Sequence, residues 1–389
     1  MNNFVYHNKT KLFFGKGVEN SLGQEIKLFG AKSVLLVYGQ QSIVKSGLLA
    51  RAKDSLKNAN IPFVEYGGVV ANPLKQHMLK GIELGKNHGV DFVLAIGGGS
   101  VIDEAKGIAA GLTNDDVWQH YLDRSKPLSK ALPVCAVLTL PATGTENSIA
   151  SVIKDQDTGI KYGINAECIR PALAFVNPEL CFSLPKYQIS NGASDMLAHM
   201  MERYFSPQQN VTATDHLLKS GMQAVLEIAP KLYHDSANYQ LWAEFCLLGT
   251  MAHNNMLSLG RNEQDWGSHI LETTFLSGLF NSAHGAGLSI IFLAWLKLMS
   301  QKRPQKVLQF CDQVMEAKGN TDKEKIVNGI QKLTEFYSRL DLPTTLSMVK
   351  VDTKKIVELA EKIYNKDSKL GCYGELNLDD IKAIIELAK

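Results

Sequence analysis

The first half of the chain alternates between short β-branched runs and stretches with helical spacing. "SVLLVYG" (33–39) reads as a buried strand running into a glycine turn, and residues 43–58 follow with apolar positions spaced for a helix. "IPFVEYGG" (61–68) predicts a second strand, the stretch from Lys75 to His88 a second helix, and "DFVLAIGGGS" a third strand ending at glycines. "AVLTLPATGTE" repeats the strand-to-loop pattern, and "ALAFVNPEL" adds one more strand. Strands alternating with helices predict a parallel sheet covered on both faces. After Pro185 the apolar residues recur at helical spacing to the C-terminus, with no β run. The chain therefore reads as an α/β domain over residues 1–185 and an all-α domain over residues 186–389, the boundary falling near Leu184 to Tyr187. With no repeat or low-complexity linker between them, the two halves are expected to pack tightly around a cleft.

Composition narrows the class. An apolar content of 45%, a charged content of 21% and a net charge of +2 describe an ordinary globular protein with no nucleic-acid or membrane surface. The most apolar stretch, 288–299, is too short to span a bilayer and contains Lys297, so it reads as a core helix. The six cysteines lie far apart without a CxxC pair, which argues against a disulfide framework or a thiolate zinc site. A cytoplasmic location follows from these features, and a homodimer is the expected assembly.

Chemistry enters at the glycines. In "VLAIGGGSVIDEAKGIAAGL" a strand passes through Gly97, Gly98, Gly99 and Ser100 into a helix. Glycines admit close backbone approach, and the helix start offers unpaired N–H groups and a positive dipole end, a recipe for phosphate. The pattern is neither GxGxxG nor GxxxxGK[ST], and a glycine turn before a helix also serves purely structural ends. "TLPATGTENS" adds Thr139, Thr143, Thr145 and Glu146, which fit a phosphate or ribose site; taken alone, Thr143-x-x-Glu146 favours a helix-capping box. The turn after the first strand holds Gly39, Gln40, Gln41, Ser42 and Lys45 and no carboxylate. An acidic residue there would favour a free ribose 2′-hydroxyl, so this polar turn, unless it is an ordinary loop, favours NADP(H) over NAD.

In the second half, Asp195 and His199 stand four apart in "SDMLAHMMERY", one turn apart on one helix face. His269 ("DWGSHILETTF") and His284 ("NSAHGAGLSII") come from later elements. One carboxylate and three neutral imidazoles suit Zn²⁺ or Fe²⁺ and leave a position for substrate, provided the four converge. Gly285 and Gly287 allow close backbone approach beside His284. The other seven histidines are dispersed and read as surface or packed residues.

These motifs occur together in a known pattern. "GGGSVIDEAKGIA", "TLPATGTE", "NPE", "SDMLAH" and "HGAGL", with the opening "NNFVYHNKTKLFFGKG", resemble the iron-containing (group III) alcohol dehydrogenases, in particular the butanol dehydrogenase and NADPH-dependent aldehyde reductase branch. The resemblance runs through the whole chain in order. It implies a dehydroquinate synthase-like fold: an α/β N-terminal nucleotide-binding domain, an all-α C-terminal domain, and the active site in the cleft between them. It implies metal ligation by Asp195, His199, His269 and His284, and a pyrophosphate held by Gly98, Gly99 and Ser100. It places Thr139, Thr143, Lys161 and Asn72 at the cofactor, Asp103 near the nicotinamide and Ser42 at the 2′-phosphate. One position departs: the family commonly has a histidine four residues after the third ligand, where this chain has Thr273, and the stretch before His284 is one residue longer.

The expected reaction is hydride transfer between NADP(H) and an alcohol/aldehyde pair, chiefly aldehyde reduction. Catalysis would rest on the cation; no acid or base is assigned, and a single Asp would leave the ion half-neutralised. The alternatives are a polyol or sugar dehydrogenase or a lyase on the same fold, the last lacking the basic cluster it would need. A further alternative is a silent NADP-binding homologue marked by Thr273.

Overall fold

The computed structural model describes every residue except Arg124. The chain forms two compact units, one of residues 7–183 and one of residues 184–389 together with 1–6.

Among the described residues the first unit carries eight strands: β1 (Lys11–Phe14), β2 (Val34–Tyr38), β3 (Phe63–Tyr66), β4 (Phe92–Gly97), β5 (Val134–Leu138), β6 (Ala150–Lys154), β7 (Lys161–Asn165) and β8 (Leu173–Val176). Six of them make a parallel sheet in the order β1-β8-β5-β4-β2-β3. The central strands are buried along almost their whole length because helices cover both faces, which is why they read as unbroken apolar runs. Alternation sends Val34, Leu36, Leu94 and Val137 to one face, under the helices Leu22–Phe29 and Leu48–Asn58. Leu35, Val37, Val93 and Ala95 go to the other, where Lys75–Asn87 and Gly99–Gly111 lie.

Two expectations need correction. Residues 43–58 are two helices, Ser42–Lys45 and Leu48–Asn58, because Gly47 between them takes a left-handed φ of 74°. Thr143 and Glu146 do not form a capping box: a single 3₁₀ turn, Thr145–Asn147, follows, and the chain returns as the antiparallel hairpin β6–β7.

The second unit is helical, with two central helices, Lys186–Tyr204 and His284–Lys302. Every residue from Ile189 to Tyr204 is buried, so this helix has no solvent face. Side chains of this helix bond the backbone of its partner: Ser194 Oγ donates to Gly285 O at 2.7 Å, and the Ala286 N–H to Asn191 Oδ1 at 2.8 Å. A Cβ at Gly285 would strike the Asn191 backbone, so the glycine read from the sequence as a close-approach residue is needed there. Residues 1–6, expected in the α/β half, belong with this unit because the Asn2 N–H donates to Gly260 O (3.0 Å) and its side chain bonds Gln208. Among the described residues no helix is long and apolar enough to cross a membrane.

Candidate functional site

In the helical unit Asp195, His199 and His269 place donor atoms within 4.8 Å of one another, and His284 approaches the same carboxylate. Asp195 and His199 project from Lys186–Tyr204, His269 from the short helix Gly267–Glu272, and His284 opens His284–Lys302. Three imidazole nitrogens converge on one oxygen: His199 Nδ1, His269 Nε2 and His284 Nε2 lie 3.7, 3.8 and 3.6 Å from Asp195 Oδ1. These separations are too long for hydrogen bonds. They run a little longer than a tetrahedron edge, about 3.4 Å for bonds of about 2.1 Å. Asp195 Oδ1, His199 Nδ1 and His269 Nε2 are buried without a hydrogen-bond partner, an arrangement that costs free energy unless something positive sits between them. The donor set therefore fits a divalent cation. His284 is the more open member, its side chain 28% exposed.

Two further carboxylates stand behind the ligands. Glu202 accepts from the backbone N–H of His269 (3.0 Å) and pairs with its Nδ1 (2.8 Å), while Glu272 pairs with Nδ1 of His284. Both are fully buried. Carboxylates in this position fix the ring and raise the basicity of the inward nitrogen. Burial opposes a charge on His269, but Asp195 and Glu202 outweigh it and push the group up to about 9. The expectation of a half-neutralised ion is corrected: three carboxyl groups, not one, surround the site. Arg203, buried between Ser258 Oγ (2.9 Å) and His199 O (2.8 Å), adds a cation; burial lowers it only to about 9, above neutral pH.

The surrounding chain is shaped to hold this geometry. Trp266 precedes the His269 helix at φ 58°, a left-handed conformation that a bulky residue adopts only when its surroundings impose it. Its indole sits 5.1 Å from the His269 ring and beneath the Arg203 guanidinium at 5.0 Å. Asp265 accepts from the Tyr373 and Gly374 N–H groups, both at 2.7 Å, tying a C-terminal loop to the start of that helix. Burial and the nearby Glu202 push Asp265 up to about 7. Beyond Glu272 the helix continues as a π turn, Thr273–Gly278. Thr273 opens that turn, and Ser277 Oγ donates to Glu272 Oε2 at 3.2 Å.

In the α/β unit, chain order reverses between β2 and β4, which are sheet neighbours. Open sheets bind ligands outside the carboxyl ends of the strands at such a switch point. Gly39 follows β2 there, and Gly97 ends β4, with Gly98 as N-cap of the helix Gly99–Gly111. Thr139 joins them through its N–H to Gly97 O (3.0 Å), and Thr143 packs on Gly99, where a Cβ would lie 2.7 Å from its hydroxyl. Ser100 lies in the first turn, whose N–H groups lack intrahelical acceptors. Ser42 begins the short helix after Gly39 and is exposed. Asn72, at φ 58°, lies in the loop after β3, and Lys161 lies on β7 opposite Lys154, in the separate hairpin. The Asp103 carboxylate accepts from Thr145 Oγ1 (2.5 Å) and the Val152 N–H (3.0 Å), bracing the 145 loop and β6.

Sequence reading missed Glu202, Glu272 and Lys106. The spacing carried a signal for the first two, since Glu202 is three residues after His199 and Glu272 three after His269. Lys106, fully buried, donates to Thr145 Oγ1 (2.8 Å), Ser148 O (3.0 Å) and Ala150 O (2.9 Å). Burial lowers it to about 8.

Residues 9–178 match the family model described as iron-containing alcohol dehydrogenase, and residues 190–389 match its C-terminal counterpart. The chain is 36% identical to the probable NADH-dependent butanol dehydrogenase 1 of Bacillus subtilis, over 99% of each sequence. It is 32% identical to the NADPH-dependent aldehyde reductase YqhD of Escherichia coli, over the full length of both. Among solved structures it superposes on NADH-dependent butanol dehydrogenase A from Thermotoga maritima with a TM-score of 0.94 at 34% identity, covering 100% of this chain and 99% of that one.

Proposed function

The chain belongs to the iron-containing alcohol dehydrogenase family, and from that premise we propose that it transfers hydride between NADP(H) and an alcohol/aldehyde pair, chiefly reducing aldehydes to primary alcohols. The observation that carries this reading is the convergence of three imidazole nitrogens on Asp195 Oδ1, the buried donors lacking any internal partner.

Asp195, His199, His269 and His284 would hold Fe²⁺ or Zn²⁺, with Glu202 and Glu272 fixing two of the rings. A cation bound there supplies Lewis acidity toward the substrate oxygen. Gly98, Gly99 and Ser100 would receive the pyrophosphate at the helix start, where N–H groups and dipole favour an anion. The aldehyde reductase and the butanol dehydrogenases among the relatives support alcohol/aldehyde chemistry.

For the nucleotide, the support is local. Gln40, Gln41, Ser42 and Lys45 after β2 are all exposed, and no acidic residue occurs between Gly39 and Gly47. Amide, hydroxyl and ammonium groups suit a 2′-phosphate, whereas a ribose diol calls for a carboxylate. The relatives divide on this point, some being named NADH-dependent and some NADPH-dependent. The test is kcat/KM for NADPH and NADH with butanal, on protein loaded with Zn²⁺ or Fe²⁺. NADPH should be preferred. A preference for NADH overturns the nucleotide assignment, and silence toward short and medium aldehydes with metal bound overturns the reductase reading.

A further inference from the structure

Two of the three ligand imidazoles are backed by a buried carboxylate, and the third is not. His269 has Glu202 and His284 has Glu272, each on the nitrogen facing away from Asp195. Among the described residues, His199 pairs with no carboxylate other than Asp195 itself. Behind it stands another imidazole. The His253 ring centroid lies 4.2 Å from that of His199, tilted by 40°, the shortest ring separation in the cluster around the site. Trp266 closes the far side, 5.7 Å from His253 and 6.0 Å from His199. His253 is the last residue of the helix Tyr239–His253, so its position is set by a different element from the one carrying Asp195 and His199.

We propose that His253 is the positioning residue for the ligand His199, doing by ring packing what a carboxylate does for the other two imidazoles. A ligand ring needs its tilt fixed, because metal sites tolerate only about 0.2 Å of error in donor position. For His199, three things restrain that tilt: its own helix, the His269 ring stacked at 4.9 Å on the metal side, and the closer His253–Trp266 wall behind it. The consequence is an asymmetric ligand set. His269 and His284 are made stronger donors by their carboxylates, while His199 faces an aromatic wall and remains the weakest donor of the three. The wall also explains why a lone histidine 54 residues from His199, with no sequence spacing to mark it, packs beside the ligands.

The inference rests on the metal reading, and the test separates the two. Wild type, D195A, H253A and H253F are prepared metal-free. Zn²⁺ affinity is measured by competition with a chromogenic chelator, and the absorption bands of the Co²⁺-loaded proteins are recorded. Wild type should bind far more tightly than D195A; if the two bind alike, the metal reading falls and this inference with it. H253A should bind Zn²⁺ roughly 10–100-fold more weakly, the usual effect of removing a ligand's support, with altered Co²⁺ bands. H253F, which keeps a ring, should recover most of the affinity and the bands. Wild-type affinity and spectrum in H253A overturn the proposal. So does H253F binding as weakly as H253A, which would make the imidazole nitrogen, not the ring, the working part.

Discussion

Replacing Gly285 with alanine perturbs the site without touching a ligand. Gly285 lies one residue after His284 and against the backbone of Asn191, four residues before Asp195 on the facing helix. A Cβ built there lies 2.2 Å from Asn191 O, 2.6 Å from its Cα and 2.8 Å from its carbonyl carbon, whereas ordinary contact begins at 3.4 Å. These are backbone atoms, not the end of a flexible side chain, so the helices must part by about 1.2 Å, the difference between 3.4 and 2.2 Å. His284 Nε2 now lies 3.6 Å from Asp195 Oδ1, and a shift of that size is roughly six times the tolerance of about 0.2 Å for a metal donor. The overpacking itself should cost about 1–3 kcal/mol. For a unit of this size that lowers Tm by roughly 2–12 °C. The assay is Zn²⁺ stoichiometry after dialysis against a weak chelator, with thermal unfolding alongside. G285A should lose most of its metal while folding. Gly163→Ala, where the added Cβ meets Val152 at an ordinary 3.5 Å, should keep it. Full metal occupancy in G285A would show that the contact between the central helices does not set the spacing of Asp195 and His284, and would refute the reasoning.

Two other predictions follow from buried pairs. Glu202→Gln keeps the shape but removes the charge behind His269, so Zn²⁺ affinity should fall roughly 10–100-fold in the chelator competition; an unchanged affinity would mean that Glu202 merely fills space. In the α/β unit, His77 pairs with the fully buried Glu104. The Glu104 hydrogen bond raises His77 despite partial burial, and burial raises Glu104 despite His77. Both groups therefore bind protons more tightly folded than unfolded, and their contribution to stability declines as pH rises. The His77 share is complete below its unfolded value of 6.5 and is lost as pH climbs through the raised folded one. Urea unfolding of wild type and His77→Asn should accordingly differ most near pH 6 and least near pH 9; a gap that widens with pH contradicts the assignment.

How much of this was legible in the sequence depended on what kind of information each feature needs. β2, β4 and β5 are buried on both faces, so apolar runs announced them. β1 is a half-exposed edge of four residues, and β6 and β7 mix lysines with apolar positions, so neither periodicity nor composition marked them. The ligand quartet was readable because metal chemistry restricts residue types, and because Asp195 and His199 share a helical spacing. Glu202 and Glu272 carried weaker signals, three residues from a ligand each, lost among many carboxylates at helical positions. His253 had none, since only the packing of separate helices brings it to His199. The capping box failed because Gly144, at φ 59°, turns the chain before a helix can begin.

The π turn after Glu272 separates the length of the chain from the position of the metal. Between His269 and His284 the polypeptide must leave one helix and enter another, yet both rings have to reach the same carboxylate oxygen. A turn with i→i+5 hydrogen bonds takes up an extra residue by widening instead of advancing, and it lies downstream of the last residue that braces a ligand. Its register also decides what meets that brace: Ser277, five residues on, reaches Glu272, where a four-residue repeat would present Leu276. A change in the length of this short stretch can thus alter the polarity around one supporting carboxylate without replacing a ligand.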